Sequence, residues 1–414
     1  MTIVTTTSNP TTHQADSRLE TIQNQFNNAN PVIATSEYAF KETDLVVINE
    51  EGVKAAAHYI EGRMEAESYT PRTWRTHPLH ICPPEPYSPS HPKTRECLDW
   101  IFLISSLNFS FLSERDGQEG RYGVEWREGW NTTDKQNVVH TGYWSLVAAI
   151  DRALDEGVPF TDPSFYSSEI KCPDSLVGHI FRAATQCKEG IPLLKERIAI
   201  LRENGSILCK RFGGSFQTLY EAFQRRYNGH GTALQLVKMV TETFPSFRDE
   251  ITYKGRKVYL WKRAQILVAE TWAAFFPPHP SHAHPLFPGP NGPAIHELTM
   301  FADYRVPQIL HHLRMLTYPP QLLKLLHSHA TLAPGCREEV SIRAASIIAV
   351  EKVRKEIEDI RAKKGKAEEL QVSSVLIDFY LWDLAKDVEM GKSRIGDVAT
   401  AEIVPPHRTR SIWY

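Results

Sequence analysis

EEVSIRAASIIAVEKVRKEIEDIRAKKG, residues 338–365, decides the fold class. Ile347, Val350, Val353, Ile357 and Ile360 return every three or four residues, the period of a helix with one apolar face. Opposite charges at i, i+4 lie between them and suit a solvated face. The same period extends toward the C-terminus in SSVLIDFYLWDLAKDVE (373–389). Toward the N-terminus it recurs in VPQILHHLRMLTY (306–318), KRAQILVAETWAAFF (262–276), ALQLVKMVTETF (233–244) and FQTLYEAFQRR (216–226). LLKERIAILRENG (193–205), SLVGHIFRAAT (175–185), WSLVAAIDRALDEG (144–157) and EEGVKAAAHYIEGRM (50–64) continue it. Strand signals are fewer. ITYKGRKVYLW (251–261) holds a Lys254-Gly255 turn between β-prone arms, and YGVEWREGW (122–130) with VVHTGYW (138–144) reads as a second ribbon. The expectation is a mainly α, single large helical domain with small β-hairpins over residues 36–414. No internal repeat supports a solenoid.

Residues 1–35 are rich in Thr, Asn and Gln and poor in large aliphatics, so they read as a disordered N-terminal tail. PPHPSHAHPLFPGPNGP (277–293) reads as a Pro/His-rich insertion loop, because the flanking segments are as apolar as the rest. Its His279, His282 and His284 alternate with prolines and have no helix to fix a tetrahedral cage, so a solvated loop outweighs a metal site. FGGSF (212–216) lacks the Lys-Ser/Thr ending of a phosphate loop; Gly213 and Gly214 end one helix and Ser215 caps the next.

Charge is balanced in the 414 residues, with 47 Lys+Arg against 49 Asp+Glu, which argues against a basic nucleic-acid coat. Cysteines stand singly at 82, 97, 172, 187, 209 and 336, with no C-x-x-C pair, so neither a disulfide scaffold nor a zinc ribbon is expected. No apolar run approaches the roughly 20 residues of a membrane span. A cytoplasmic location without membrane contact is the expectation.

Two carboxylate motifs carry chemistry. In TMFADYRVPQ (299–308), Asp303 lies just before a helix opened by Pro307, where it can cap that helix or pair with Arg305. In VLIDFYLWDLA (375–385), Asp378 lies inside an apolar helix with Trp382 on the same face and Asp383 beside it. A carboxylate on an apolar helical face costs several kcal/mol unless paired. Aspartates beside aromatic platforms suggest a nucleobase or glycoside site, with Lys262 and Arg263 available to a phosphate.

LNFSFLSE, TGYWSLVAAIDRALDEGVP, FGGSF, YKGRKVYLWKRAQILVAETW, MFADYRVPQ, LIDFYLWD and the closing PHRTRSIWY follow one another in an order that resembles the queuosine salvage proteins, the queuosine 5′-phosphate N-glycosylase/hydrolases. The resemblance runs from about Val53 to Tyr414. It implies a fold similar to that of helix-hairpin-helix DNA glycosylases, without their glycine-containing DNA-binding hairpin. It also implies hydrolysis of the N-glycosidic bond of queuosine 5′-phosphate, releasing queuine for reuse in tRNA modification. The family's base-recognition motif matches Phe301 and Asp303, its helix motif Asp378, Trp382 and Asp383, its phosphate-side lysine Lys262, and its histidine His80, with His77 as the alternative. The chain departs in its tail, in the Pro-rich residues 75–93, in the Pro/His loop, and at Leu112, where an aromatic is expected.

Breaking a ribosyl C–N bond builds positive charge on the sugar and negative charge on the base. The resemblance therefore implies Asp378 and Asp303 as catalytic groups, with Asp378 assigned to the sugar and Asp303 to the base edge, and the reverse assignment as the alternative. His80, Phe301, Lys262, Trp382 and Asp383 complete the expected substrate contacts. No metal or organic cofactor is needed, and a small nucleotide rather than a stable nucleic-acid complex is the expected partner. The competing readings are a non-catalytic helical module that binds a modified nucleotide or tRNA, and a DNA glycosylase, which the charge balance disfavours.

Overall fold

Asn30 accepts a hydrogen bond from the Val32 N–H and Pro31 opens α1 (Pro31–Thr43), a preorganised helix start. The computed structural model describes residues 29–132, 136–279, 281–365, 372–391, 395–396 and 398–414. The expected tail is thereby corrected at its inner end: residues 31–35 are helical, and Val32 and Thr35 are buried. Residues 1–28 lie outside the described residues. Contacts decide α1, not its composition. Thr35 Oγ1 accepts from the Tyr259 N–H at 3.1 Å, and the helix packs against the long C-terminal helix described below.

After β1 (Val47–Ile48), α2 (Glu50–Ala66) buries Val53, Ala56, Ala57 and Ile60, the face its spacing predicts. A 3-10 segment at Pro71–Thr76 leads through the Pro-rich stretch to α3 (Pro92–Leu107), buried from Cys97 to Leu107. The ribbon β2 (Gly123–Arg127) and β3 (Asn137–Thr141) pairs Glu125 with Val139 and delivers the chain to α4 (Tyr143–Asp155). The short α5 (Pro163–Tyr166) and α6 (Asp174–Ile180) precede α7 (Leu194–Phe212), α8 (Phe216–Arg226) and α9 (Ala233–Thr243). Gly213 takes the left-handed C-cap of α7 and Ser215 caps α8, as their order predicts.

The hairpin of β4 (Glu250–Tyr253) and β5 (Arg256–Tyr259) turns at Lys254-Gly255, both at positive φ, into α10 (Lys262–Ala274). Then come α11 (Val306–His312), β6 (Leu316–Thr317), α12 (Pro320–His327), α13 (Arg337–Lys363) and α14 (Ser374–Glu389). The chain is mainly α with small two-stranded sheets. One of these, β1 on β6, pairs Val47 with Thr317 across most of the chain and has no sequence signature. Among the described residues no helix is long and apolar enough to cross a membrane.

The Pro/His loop is not simply solvated. His279 and His282 are exposed, but Leu286 and Phe287 are fully buried. His284 is buried with them, its Nε2 2.9 Å from the Trp272 carbonyl. Burying two such apolar side chains contributes about 1.5–3 kcal/mol each. Among the described residues no cluster of three or more His, Cys, Asp or Glu is arranged to hold a metal ion.

Arg343 of α13 is the central polar tie. Its guanidinium grips Asp249 at 2.5 and 3.2 Å, reaches Glu339 at 3.2 Å and donates to the Ala302 carbonyl at 2.8 Å. The cation also lies 4.1 Å from the ring centre of the C-terminal Tyr414. Arg343→Met leaves two buried carboxylates without their cation and should lower unfolding free energy by about 3–5 kcal/mol in urea titrations. A loss below about 1 kcal/mol contradicts this role.

Candidate active site

Trp261 stands in the left-handed region at φ 49° and turns the chain out of β5 into α10. Lys262, Ile266 and Glu270 follow at i, i+4 and i+8, so they share one helix face, and all three line one cavity. α14 lines the same cavity, its Asp378, Trp382 and Lys386 repeating the same spacing, with Phe379 and Asp383 beside them. Phe301, Asp303, Tyr304 and Arg305 enter from the extended segment before α11. Tyr69, Thr73, Trp74, His77 and His80 also line it, as do Tyr143 and Trp144 at the start of α4. The recess holds about 1040 Å³ of empty space, with open solvent at its mouth included.

Hydrogen bonds tie Asp378 to the segment that carries Asp303 and fold that segment on itself. The Phe301 N–H donates to Asp378 Oδ1 at 2.9 Å, and the Asp303 N–H donates to the Phe301 carbonyl at 2.7 Å. Asp303 Oδ1 accepts from the N–H groups of Arg305 and Val306, each at 2.9 Å, so the helix-start role and a cavity role coexist. Lys262 Nζ donates to the Asn108 carbonyl at 3.0 Å and to Asn108 Oδ1 at 3.1 Å.

The electrostatics separate the pair. Burial and the neighbouring Asp303 push the Asp378 carboxyl well above the usual range, against one backbone N–H and the charge of Lys262. Burial also raises Asp303, but Lys262, two N–H groups and Arg305 all oppose it. Desolvation lowers Lys262 to about 8, with Asp303 the main group holding its proton. Asp383 is pushed up to about 6 by burial although Tyr69 Oη donates to it at 2.7 Å. Glu270 is pushed up to about 7 by burial, with Tyr143 Oη donating to Oε1 at 3.2 Å.

Aromatic rings form the walls. His77 stacks on Trp144 at 3.6 Å and 3°, Trp74 stacks on His80 at 4.1 Å, and Trp382 meets Trp144 edge-on at 5.6 Å. Burial lowers His77 to about 4 and His80 to about 3, so both are neutral.

Asp303, Asp378, His80, Phe301, Lys262, Trp382 and Asp383 thus converge on one cavity, from segments over 300 residues apart. His77 lines it as well. Arg263 does not: its guanidinium is buried on the Ser106 and Ser246 carbonyls, so it is a structural cation. Sequence reasoning passed over Glu270, although it carries the signal that marked Asp378, a carboxylate on a wholly buried helix. Trp74 and Tyr143 had no such signal.

The family described as queuosine salvage protein matches residues 88–414. The chain belongs to the queuosine salvage protein family. A queuosine 5′-phosphate N-glycosylase/hydrolase of Schizosaccharomyces pombe is 37% identical over 390 residues, covering 92% of this chain and 99% of the relative. The protein of that name from Mus musculus is 36% identical over 89% of this chain and 94% of its own. The one from Sphaerobacter thermophilus is 35% identical over 92% and 97%. In this family member the matched range holds both aspartates, Lys262 and the whole α14 wall.

Glu270 gives a test of the cavity's electrostatics. Its folded value of about 7 lies above the unfolded value of about 4.3, so the native state keeps a proton that the unfolded state has lost. That contribution is fully present below about pH 4 and is lost as pH rises through about 7. The stability of the parent relative to Glu270→Gln should therefore fall across that window, by at most about 1.4 kcal/mol per pH unit. The buried histidines pull the other way in both proteins and drop out of the difference. Urea unfolding at a series of pH values measures it; a pH-independent difference contradicts the assignment.

Proposed function

We propose that the chain hydrolyses the N-glycosidic bond of queuosine 5′-phosphate, the activity in the names of its relatives, and thereby releases queuine. The observation that carries this reading is the buried Asp303–Asp378 pair, two carboxyl groups in different electrostatic settings within one aromatic-walled cavity. Unlike protonation states suit acid and base work on one bond.

Asp303, with Lys262 and two N–H donors beside it, is the group suited to carry negative charge under the ribose. There it stabilises the cation at C1′ and takes the proton of the attacking water as its oxygen bonds to C1′. Asp378 is suited to stay protonated. A 7-deazapurine has carbon in place of N7, so its departure needs a proton delivered elsewhere, and Asp378 can supply it as the C1′–N bond breaks. This favours the reverse of the assignment that places Asp378 at the sugar. The two groups then exchange a proton to reset the pair. Asp383 accepts from the guanine-like N–H edge, with Phe301 and Trp382 as apolar walls.

The resemblance puts Lys262 at the phosphate. Its ammonium is committed to Asn108 beside Asp303, which supports a role in keeping Asp303 ionised. Lys386 and Arg305 are the more open cations of the cavity, with side chains 17% and 9% exposed, and suit the 5′-phosphate. The same reading takes residues 36–414 as one catalytic domain acting in the cytoplasm on a free nucleotide. A recess lined with carboxylates, in a chain of formal net charge −2, suits a single nucleotide better than a polyanion.

Incubation with queuosine 5′-monophosphate should yield free queuine by mass spectrometry; binding without release favours the non-catalytic module instead. Asp303→Asn and Asp378→Asn should each lower release at least about a hundredfold. A nitrophenyl riboside 5′-phosphate, whose leaving group needs no proton, should restore turnover to Asp378→Asn and not to Asp303→Asn. Equal restoration in both removes the division of labour.

Lys386→Ala should cut kcat/KM for the nucleotide by about one to two orders of magnitude, the worth of a charge-assisted contact of about 1.5–3 kcal/mol. The nucleoside should be almost unaffected, whereas Lys262→Met should slow both substrates. Parallel effects of the two substitutions contradict the separate roles.

A further inference from the structure

Three buried cations converge on the end of α3. Arg197 of α7 donates to the carbonyls of Leu107 and Phe109, each at 2.5 Å, and to that of Pro192 at 3.0 Å. Arg263 of α10 donates to the carbonyls of Ser106 and Ser246. Between these carbonyls lies Asn108, whose own carbonyl and Oδ1 both accept from Lys262 Nζ. The centre of the Phe109 ring is 4.3 Å from the Arg197 guanidinium and 5.1 Å from that of Arg263. Both arginines are fully buried, and among the described residues neither forms an ion pair. The last carbonyls of a helix have no partner within it and carry partial negative charge, so cations suit them. A glycine suffices at the end of α7, however, and two buried guanidinium groups without a carboxylate are a costly way to finish α3. Capping alone does not account for them.

We infer that Arg197 and Arg263 are positioning residues of the reaction: they hold LNFSF (107–111) so that Asn108 offers Lys262 a fixed seat of two acceptors. The inference rests on the queuosine reading above and deepens it by naming what keeps Lys262 in place. Asn108 needs such support, because it has left the helix. Its N–H is 3.5 Å from the Ser105 carbonyl, and Ser110 stands in the left-handed region at φ 50°. Lys262 and Arg263 are consecutive, so the first turn of α10 engages the end of α3 through two adjacent side chains. Arg197 holds the same segment from α7. A guanidinium bridges several carbonyls at fixed angles, which an ammonium cannot do. Of the three N–H donors of Lys262, two go to Asn108 and one is left for the cavity. The alternative is that the two arginines serve stability alone.

The test uses Arg197→Lys, which keeps the charge and loses the bridge. Its kcat for queuosine 5′-monophosphate should fall about ten- to a hundredfold with KM little changed, as a misplaced group near the reacting atoms would produce. The acid limb of its kcat profile should move to higher pH. Burial raises Asp303, and Lys262 opposes this most, ahead of the Val306 and Arg305 N–H groups and the Arg305 charge, while Asp378 faces it from α14. Asn108→Ala should lower kcat about tenfold, the worth of one charge-assisted contact. The double variant should be within about twofold of the slower single one, since both substitutions disturb one seat. Losses that multiply in the double variant overturn the inference. An Arg197→Lys protein less stable to urea that keeps the parent's kcat and pH profile also overturns it. Parent-like kcat in Asn108→Ala does so whether or not the arginine variant folds. Release of no base by the parent overturns the queuosine reading itself, and the inference with it.

Discussion

Arg343 is the interaction on which the rest of the architecture depends. One buried guanidinium joins α13 to Asp249, to the Ala302 carbonyl and to the ring of Tyr414. Two of these partners adjoin residues that line the cavity. Asp249 Oδ2 accepts from the Lys262 N–H at 3.3 Å and so fixes the start of α10, while Ala302 immediately precedes Asp303. A buried ion pair is a poor source of net stability, because desolvation offsets much of its attraction. Its value here is geometric: a planar, five-donor fork can hold several segments in one relation, which a lysine cannot. The C-terminus belongs to the same knot, since the Ser110 N–H donates to the Tyr414 carbonyl at 3.0 Å.

From that knot the cavity inherits its chemistry. A helical core encloses carboxyl groups that water would otherwise keep ionised; burial raises both aspartates, and the local donors oppose it more at Asp303 than at Asp378. Asp303 has Lys262 and a helix start; Asp378 has one N–H and an acidic neighbour. The two side chains are of one chemical type and reach the same cavity, so their difference arises from position alone.

Much of this was legible in the chain. The three-to-four-residue period marks most of the helices, and Lys254-Gly255 marks a hairpin, because both depend on near neighbours. SLVGHIFRAAT was read too long: α6 stops at Ile180, after which Ala184 is recruited to the Gly123 carbonyl. The start of α1, the β1–β6 pair and the buried His284–Phe287 turn were missed because distant residues make them. At the site, an aspartate on an apolar face was visible and so was its neighbour Trp382. That Glu270, Trp74 and Tyr143 share one cavity appears only once α10, the 3-10 segment and α4 are brought together.

The central claim is that the paired carboxyl groups hold unlike protonation states at neutral pH, with Asp378 neutral and Asp303 charged. Carbon-13 NMR of the protein labelled at aspartate carboxyl carbons measures this directly. At neutral pH one protonated carboxyl resonance should be absent from Asp378→Asn, while the resonance absent from Asp303→Asn should be that of a carboxylate. Resonances from both positions that finish titrating below about pH 5, as ordinary aspartates do, contradict the account.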